Sequence, residues 1–125
     1  MTVYVETDVL IALVNPDDPY SENAERTVSE YDVVTSPLAY LELLSDIDRN
    51  NFDAVRLVAH LLDLVPVATE EEEQIVLKAA NYYDEGMSPF EAFHAATAET
   101  REYVVISSNE GHETLGPARE ALGNI

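Results

Sequence analysis

Short runs rich in β-branched residues recur along the chain and predict its strands. They lie at residues 3–6 (VYVE), 32–36 (DVVTS), 65–69 (VPVAT) and 103–108 (YVVISS). The last run is the most continuously apolar and is expected to be a buried strand. Segments with helical spacing of apolar residues separate these runs, so predicted strands and predicted helices alternate along the chain.

Apolar residues spaced three and four positions apart predict six helices. The segments are TDVLIALV, SENAERTVSEY, SPLAYLELLSDID, FDAVRLVAHLLDL, EEQIVLKAANYYDEG and SPFEAFHAATAETR. Thr7 is placed to cap the first helix, and Thr69 with Glu72 forms a capping-box pattern before the fifth. One more short helix is expected around residues 117–121.

Strands that alternate with helices predict an α/β fold, with a mostly parallel sheet covered on both faces. A chain of 125 residues suits one compact domain, so we expect residues 1–125 to form a single domain. Ligands in such folds gather beyond the carboxyl ends of the strands. That edge is therefore where functional residues are expected.

Composition narrows the possible chemistry. The chain has no cysteine, so a metal would have to be held by oxygen or histidine, which favours Mg²⁺ or Mn²⁺. No apolar run reaches the roughly 18 residues of a membrane span, and the N-terminus lacks the features of a secretory signal. These features predict a cytoplasmic protein that does not enter a membrane.

The charge is strongly acidic, with 25 acidic and 6 basic residues and a net charge of -19. Self-repulsion of this size destabilises a compact state at ordinary ionic strength, whereas at 1 M salt the screening length falls to about 3 Å. We therefore interpret the chain as halophilic. The alternative is an acidic protein from an ordinary cell.

Carboxylates follow the predicted strands on separate segments. Glu6 follows the first strand, Glu42 lies in the helix after the second, and Glu91 begins the helix that leads to the last. Asn109 and Glu110 follow the last strand. Carboxylates that meet at one sheet edge repel one another unless they are protonated or share a divalent cation. Such a cation lowers the pKa of bound water and stabilises charge on a phosphodiester.

Four segments resemble, in order, the motif blocks of PIN-domain proteins. They are YVETDVLIAL, TSPLAYLELL, SPFEAFHAATA and VVISSNEG. The size and layout are most similar to the toxin subunits of VapBC toxin–antitoxin pairs. This resemblance implies a three-layer α/β/α fold with a central, mostly parallel sheet of four or five strands. It also implies a Mg²⁺- or Mn²⁺-dependent ribonuclease that acts on RNA, forms a homodimer and is silenced by a small VapB-like antitoxin.

By position, the resemblance assigns the catalytic set to Glu6, Glu42, Glu91 and Asn109, with the three glutamates as metal ligands. Only Glu42 has the residue type usual in the family, which carries aspartate at the other three positions. Glu6 and Glu91 are one methylene longer, and this can move a ligand oxygen by roughly 1.5 Å. Asn109 keeps a carbonyl oxygen but loses the charge, and Glu110 or Glu113 could substitute for it.

The same residues have alternative interpretations. Ser88 and Glu91 also form a capping-box pattern, in which the Glu91 side chain would bond back to the Ser88 N–H instead of binding metal. Thr7 could orient Glu6, Asp8 could support the site or compensate the helix dipole, and Ser108 could contact a metal-bound water. His94 is better explained by packing or hydrogen bonding than by catalysis.

Two functions remain open. The first is the metal-dependent endoribonuclease, and the second is a catalytically weakened or inactive PIN-like domain that binds RNA or protein. The six basic residues form no contiguous patch in the sequence, unlike most RNA-binding proteins. At molar salt such a patch would add little affinity, so its absence weighs less there.

Overall fold

A computed structural model describes residues 1–108 and 116–125 of the chain. The described residues form six α-helices, four short strands and two short 3-10 helices. In chain order the elements are β1 (Thr2–Tyr4), α1 (Thr7–Val14), α2 (Ser21–Glu30), β2 (Asp32–Val34), α3 (Pro37–Asp46), the 3-10 helix Arg49–Asn51, α4 (Ala54–Leu64), α5 (Glu70–Asp84), α6 (Pro89–Thr100), β3 (Val105–Ser107), β4 (Arg119–Ala121) and the 3-10 helix Leu122–Asn124. The six predicted helices and the mixed α/β class are confirmed.

The strands form two parallel pairs. β1 pairs with β2, and β3 pairs with β4. The segment at residues 65–69 contributes one isolated bridge, between Val67 and Thr35. Pro66 has no N–H to extend this pairing, although its carbonyl accepts a 2.9 Å bond from the Thr35 amide. The continuous sheet of four or five strands is therefore not seen in the described part of the chain.

Helices supply most of the core. The most extensive contact among the described elements joins α5 to α6, and α4 and α3 pack against α5. Tyr40 on α3 is fully buried, and its hydroxyl donates a 2.7 Å hydrogen bond to the Val65 carbonyl. Burial disfavours the phenolate and so raises the pKa of Tyr40 far above its usual value.

Side-chain caps define several helix ends. The Thr69 hydroxyl accepts a bond from the Glu72 amide, which confirms the Thr69 half of the predicted capping box. The Glu72 carboxylate accepts a bond from the Ala68 N–H, one residue before the N–H that a capping box would use. The prediction that Thr7 caps α1 is wrong. The Thr7 hydroxyl bonds to Glu42 on α3 and not to an amide of α1. Glu6 occupies the cap position of α1, and its side chain makes no capping bond.

The C-terminal region differs from its prediction. The strand predicted at residues 103–108 is not buried, since Val104, just before β3, is 61% exposed and Ile106 within β3 is 56% exposed. Among the described strands β3 pairs only with β4, so it is not an inner strand of a larger sheet there. The expected helix at residues 117–121 is also wrong. Pairing with β3 holds Arg119–Ala121 as a strand, and the Ala118 carbonyl accepts a 2.9 Å bond from Val105.

Candidate functional site

The end of β1 is held by a buried threonine. Thr35 is 2% exposed, and its hydroxyl donates a 2.7 Å hydrogen bond to the Val5 carbonyl. The Val5 amide in turn donates a 3.0 Å bond to the Val34 carbonyl. Glu6 follows directly and is exposed, with extended backbone angles of φ -92° and ψ 175°. Its backbone therefore stands at the carboxyl end of a fixed strand.

Glu42 is held beside this strand end by Thr7. The Thr7 hydroxyl donates a 2.9 Å hydrogen bond to Glu42 Oε1, across a separation of 35 residues. Glu42 lies on α3, whose first helical residue, Pro37, needs no amide partner. The Tyr4 hydroxyl and Ser36 Oγ also lie 2.7 Å apart, so a second hydroxyl contact ties β1 to the start of α3.

Neither Glu6 nor Glu42 forms an ion pair within residues 1–108 and 116–125. The ion pairs found there join Lys78 to Glu99 at 3.9 Å and Arg101 to Glu71 at 3.0 Å. Among the described residues, no basic side chain therefore pairs with either of these two exposed carboxylates. Their oxygen donors are the type that Mg²⁺ and Mn²⁺ prefer.

Glu91 occupies the first turn of α6, where its amide takes part in a helix cap. The Ser88 hydroxyl accepts a 3.3 Å hydrogen bond from Glu91 N–H. This bond uses the Glu91 backbone and is one half of a capping box, while the half proposed from the sequence, from the Ser88 N–H to the Glu91 side chain, stays a prediction. The half-buried Glu91 side chain lines a cavity of about 480 Å³ between α6 and the β3–β4 pair.

This cavity contains residues that the sequence did not single out as a site. Tyr103 and Arg119 line it together with His94 on α6. Among the described residues, the buried Arg119 Nε atom has no hydrogen-bond partner. The sequence offered one signal that could have drawn attention to Arg119. The chain has only six basic residues, so the position of each one in the fold is informative.

The remaining candidates fall in different places. Asp8 is exposed and lines a groove between α1 and α2, and Ser108 is exposed just after β3. His94 is exposed on α6 and so is not packed in the core, while the hydrogen-bonding role proposed as the other explanation stays a prediction. Three other candidates from the sequence, Asn109, Glu110 and Glu113, lie outside the described residues.

The described residues contain no group of three or more His, Asp or Glu side chains arranged to hold a metal ion. The structure brings Glu42 to Thr7, next to Glu6, and does not join Glu91 to them in such a group. Mg²⁺ usually takes only one or two protein carboxylates and completes its shell with water and substrate phosphate. The Glu6 and Glu42 oxygens fit that requirement in type, and their assignment as ligands remains a prediction.

No helix in the described ranges is long and apolar enough to cross a membrane.

The model of one protein family, the PIN domain, matches residues 3–116, which is most of the chain. No curated protein and no solved structure is significantly similar to the chain. The family match spans both strand ends and all six helices described above. The chain therefore belongs to the PIN-domain family.

Proposed function

We propose that this chain is a Mg²⁺- or Mn²⁺-dependent endoribonuclease and the VapC-type toxin of a type II toxin–antitoxin pair. PIN domains are generally metal-dependent nucleases, and the family match covers residues 3–116. The observation that carries the proposal is the 2.9 Å hydrogen bond that orients the Glu42 carboxylate through Thr7, beside Glu6. A carboxylate oriented by a hydrogen bond is a better metal ligand than one that rotates freely.

In this proposal Glu6 and Glu42 hold the cation, with Glu91 as a further ligand and Asn109 helping to place it. Thr7, Asp8, Ser108 and Glu110 support them. When bound, the cation would supply charge stabilisation to a phosphodiester and activate water.

The residues around the end of β1 hold the two proposed metal ligands, Glu6 and Glu42, in place. Thr35 fixes the Val5 carbonyl and thereby the place at which Glu6 leaves β1. Thr7 is the next residue along, and it restrains Glu42. The two proposed ligands are thus tied to the same short segment of backbone, which limits how far their oxygens can separate.

The test compares cleavage of RNA by the wild type and Glu42→Gln in molar KCl with Mn²⁺. Removing the charged oxygen should slow cleavage by about 100-fold. Glu25→Gln is the matched control, because Glu25 is an exposed carboxylate on α2 and its loss changes the net charge equally. The proposal fails if the wild type neither cleaves RNA nor binds Mn²⁺ in calorimetry, or if Glu42→Gln cleaves as fast as the wild type.

A second candidate function is a PIN-like domain that binds RNA or protein without hydrolysis. It is favoured by the lack, among the described residues, of a group of three metal-ligating side chains. The substitutions at the family positions, Glu6, Glu91 and Asn109, favour it as well. RNA binding by the wild type with no metal-dependent cleavage would select this alternative.

The proposal extends to partners and setting. We expect a homodimer, a small VapB-like antitoxin as cognate partner, and a cytoplasm of high salt. The net charge of -19 supports the last of these, because molar salt would screen the repulsion between 25 acidic side chains. A short open reading frame beside the gene would support the antitoxin, and sedimentation of the purified chain tests the dimer.

A further inference from the structure

The cavity between α6 and the β3–β4 pair has the size and lining of a ligand site. Its volume of about 480 Å³ lies within the range of roughly 300–1,000 Å³ that is usual for such pockets. Tyr103 and the residues that follow it form one wall, and Glu91, His94 and Thr97 on α6 form another. Arg119 enters from β4. A cation and an aromatic ring therefore line the same hollow.

Arg119 carries a buried donor that no described residue satisfies, whereas Arg26 and Arg56 also lack an acceptor but are exposed to solvent. Arg101 is paired with Glu71, Lys78 with Glu99, and Arg49 lies 4.1 Å above the Tyr83 ring. The Arg119 Nε atom is buried and has no hydrogen-bond partner among the described residues. Buried donors are nearly always satisfied, so a ligand with anionic oxygens is the natural complement of this guanidinium.

Tyr103 supplies a stacking surface in the same cavity. The residue is 62% exposed even though it is a large aromatic side chain. Unpaired bases stack on exposed aromatic rings, while guanidinium groups donate to the phosphates between them. A nucleotide contains a flat base and a phosphate. The base would match the Tyr103 ring, and the phosphate would match the Arg119 guanidinium.

We propose that this cavity binds one nucleotide of single-stranded RNA, with Tyr103 stacking on its base and Arg119 donating to its phosphate. The inference rests on the proposed function in one respect, namely that the substrate is RNA. Glu91 lines the same cavity, so the bound nucleotide would adjoin one of the three proposed metal ligands. Paired bases in a duplex are already stacked on their neighbours, so the site would select unpaired RNA.

The experiment measures binding apart from cleavage. A fluorescein-labelled five-nucleotide RNA is titrated with protein in molar KCl and EDTA, and its anisotropy gives the Kd for the wild type, Arg119→Gln and Tyr103→Leu. Arg56→Gln and Tyr31→Leu are matched controls, because both residues are exposed and neither lines this cavity. Thermal unfolding of each variant separates a lost contact from a lost fold.

Arg119→Gln and Tyr103→Leu should each weaken binding by about 5- to 10-fold, and the controls should bind as the wild type does. A duplex of the same sequence should compete poorly. If Arg119→Gln disturbs β4, Tyr103→Leu still tests the site, because Tyr103 lies outside the paired strands.

Three results would overturn the inference. The first is no RNA binding by the wild type, and the second is an unchanged Kd in both cavity variants. The third is self-association that depends on Tyr103 without RNA binding, which would identify a protein-docking surface instead. Glu42→Gln separates the two proposals, since it should slow cleavage by about 100-fold while leaving the Kd in EDTA unchanged. RNA binding that depends on Arg119 in a protein that never cleaves would uphold the nucleotide site and reject the enzyme.

Discussion

Replacing Thr7 with valine tests whether its hydroxyl prepares Glu42 to bind a cation. Valine keeps the size and β-branching of threonine but removes the donor of the 2.9 Å hydrogen bond to Glu42 Oε1. Because that bond is exposed, its loss should lower the free energy of unfolding by only about 0.5–1 kcal/mol. The larger effect is expected on metal binding.

Residues that orient a metal ligand typically contribute a factor of about 10–100 to metal affinity. Thr7→Val should therefore raise the Kd for Mn²⁺ by about that factor, which is roughly 1.4–2.7 kcal/mol of binding free energy. Thr7→Ser keeps the hydroxyl and should stay close to the wild type. The contrast between a small change in stability and a large change in affinity distinguishes orientation from general damage.

Isothermal calorimetry with Mn²⁺ in molar KCl, alongside urea unfolding, measures both quantities. Thr27→Val is the matched control, because the Thr27 hydroxyl donates to the Asn23 carbonyl within α2. An unchanged Mn²⁺ affinity in Thr7→Val, with binding abolished in Glu42→Gln, would refute an orienting role for the hydroxyl. Equal losses in Thr7→Ser and Thr7→Val would assign the effect to something other than that hydrogen bond.

Two further predictions concern stability. Tyr40→Phe leaves the Val65 carbonyl without its buried donor and should lower the free energy of unfolding by about 1–3 kcal/mol in urea titrations. Burial raises the pKa of Tyr40 in the folded state, so above about pH 10 its phenol ionises only on unfolding. The wild type should thus lose more stability than Tyr40→Phe as the pH rises past 10, and a constant difference from pH 8 to 11 would contradict this. Raising KCl from 0.1 to 3 M should raise the Tm by about 10 °C, because salt screens the repulsion that arises from the net charge of -19. Sucrose is the uncharged control and should not reproduce the full shift. A Tm that does not depend on KCl would reject the halophilic interpretation.

The helices were predictable because their signals are local. Apolar spacing marks each one, and the Thr69–Glu72 pattern produces the expected bond from the Glu72 amide to the Thr69 hydroxyl. The exposure of β3 was not predictable in this way, since a strand is buried only if distant segments cover it. The same limit applies to residues 117–121, where pairing with β3 overrode a weak helical pattern.

Part of the candidate site follows from the sequence as well. The rule that ligands gather at strand ends selected Glu6, and the structure places its backbone at the end of β1. Local pattern assigned Thr7 to a helix cap, but its hydroxyl bonds instead to Glu42 on another helix. Arg119 could not be recognised, because its cavity exists only when β4 lies beside β3.

The three-residue strands have a consequence for how the molecule opens. β1 and β2 contribute few ladder bonds, whereas α5 and α6 share the most extensive contact among the described elements. Local openings usually begin where backbone bonds and buried contacts are fewest. We therefore expect the edge that carries Glu6 to open before the helical core does, once the Thr35 and Val5 bonds that hold it are lost. A ligand that bridges Glu6 and Glu42 would join the end of β1 to α3, so binding and the local folding of this edge would be coupled.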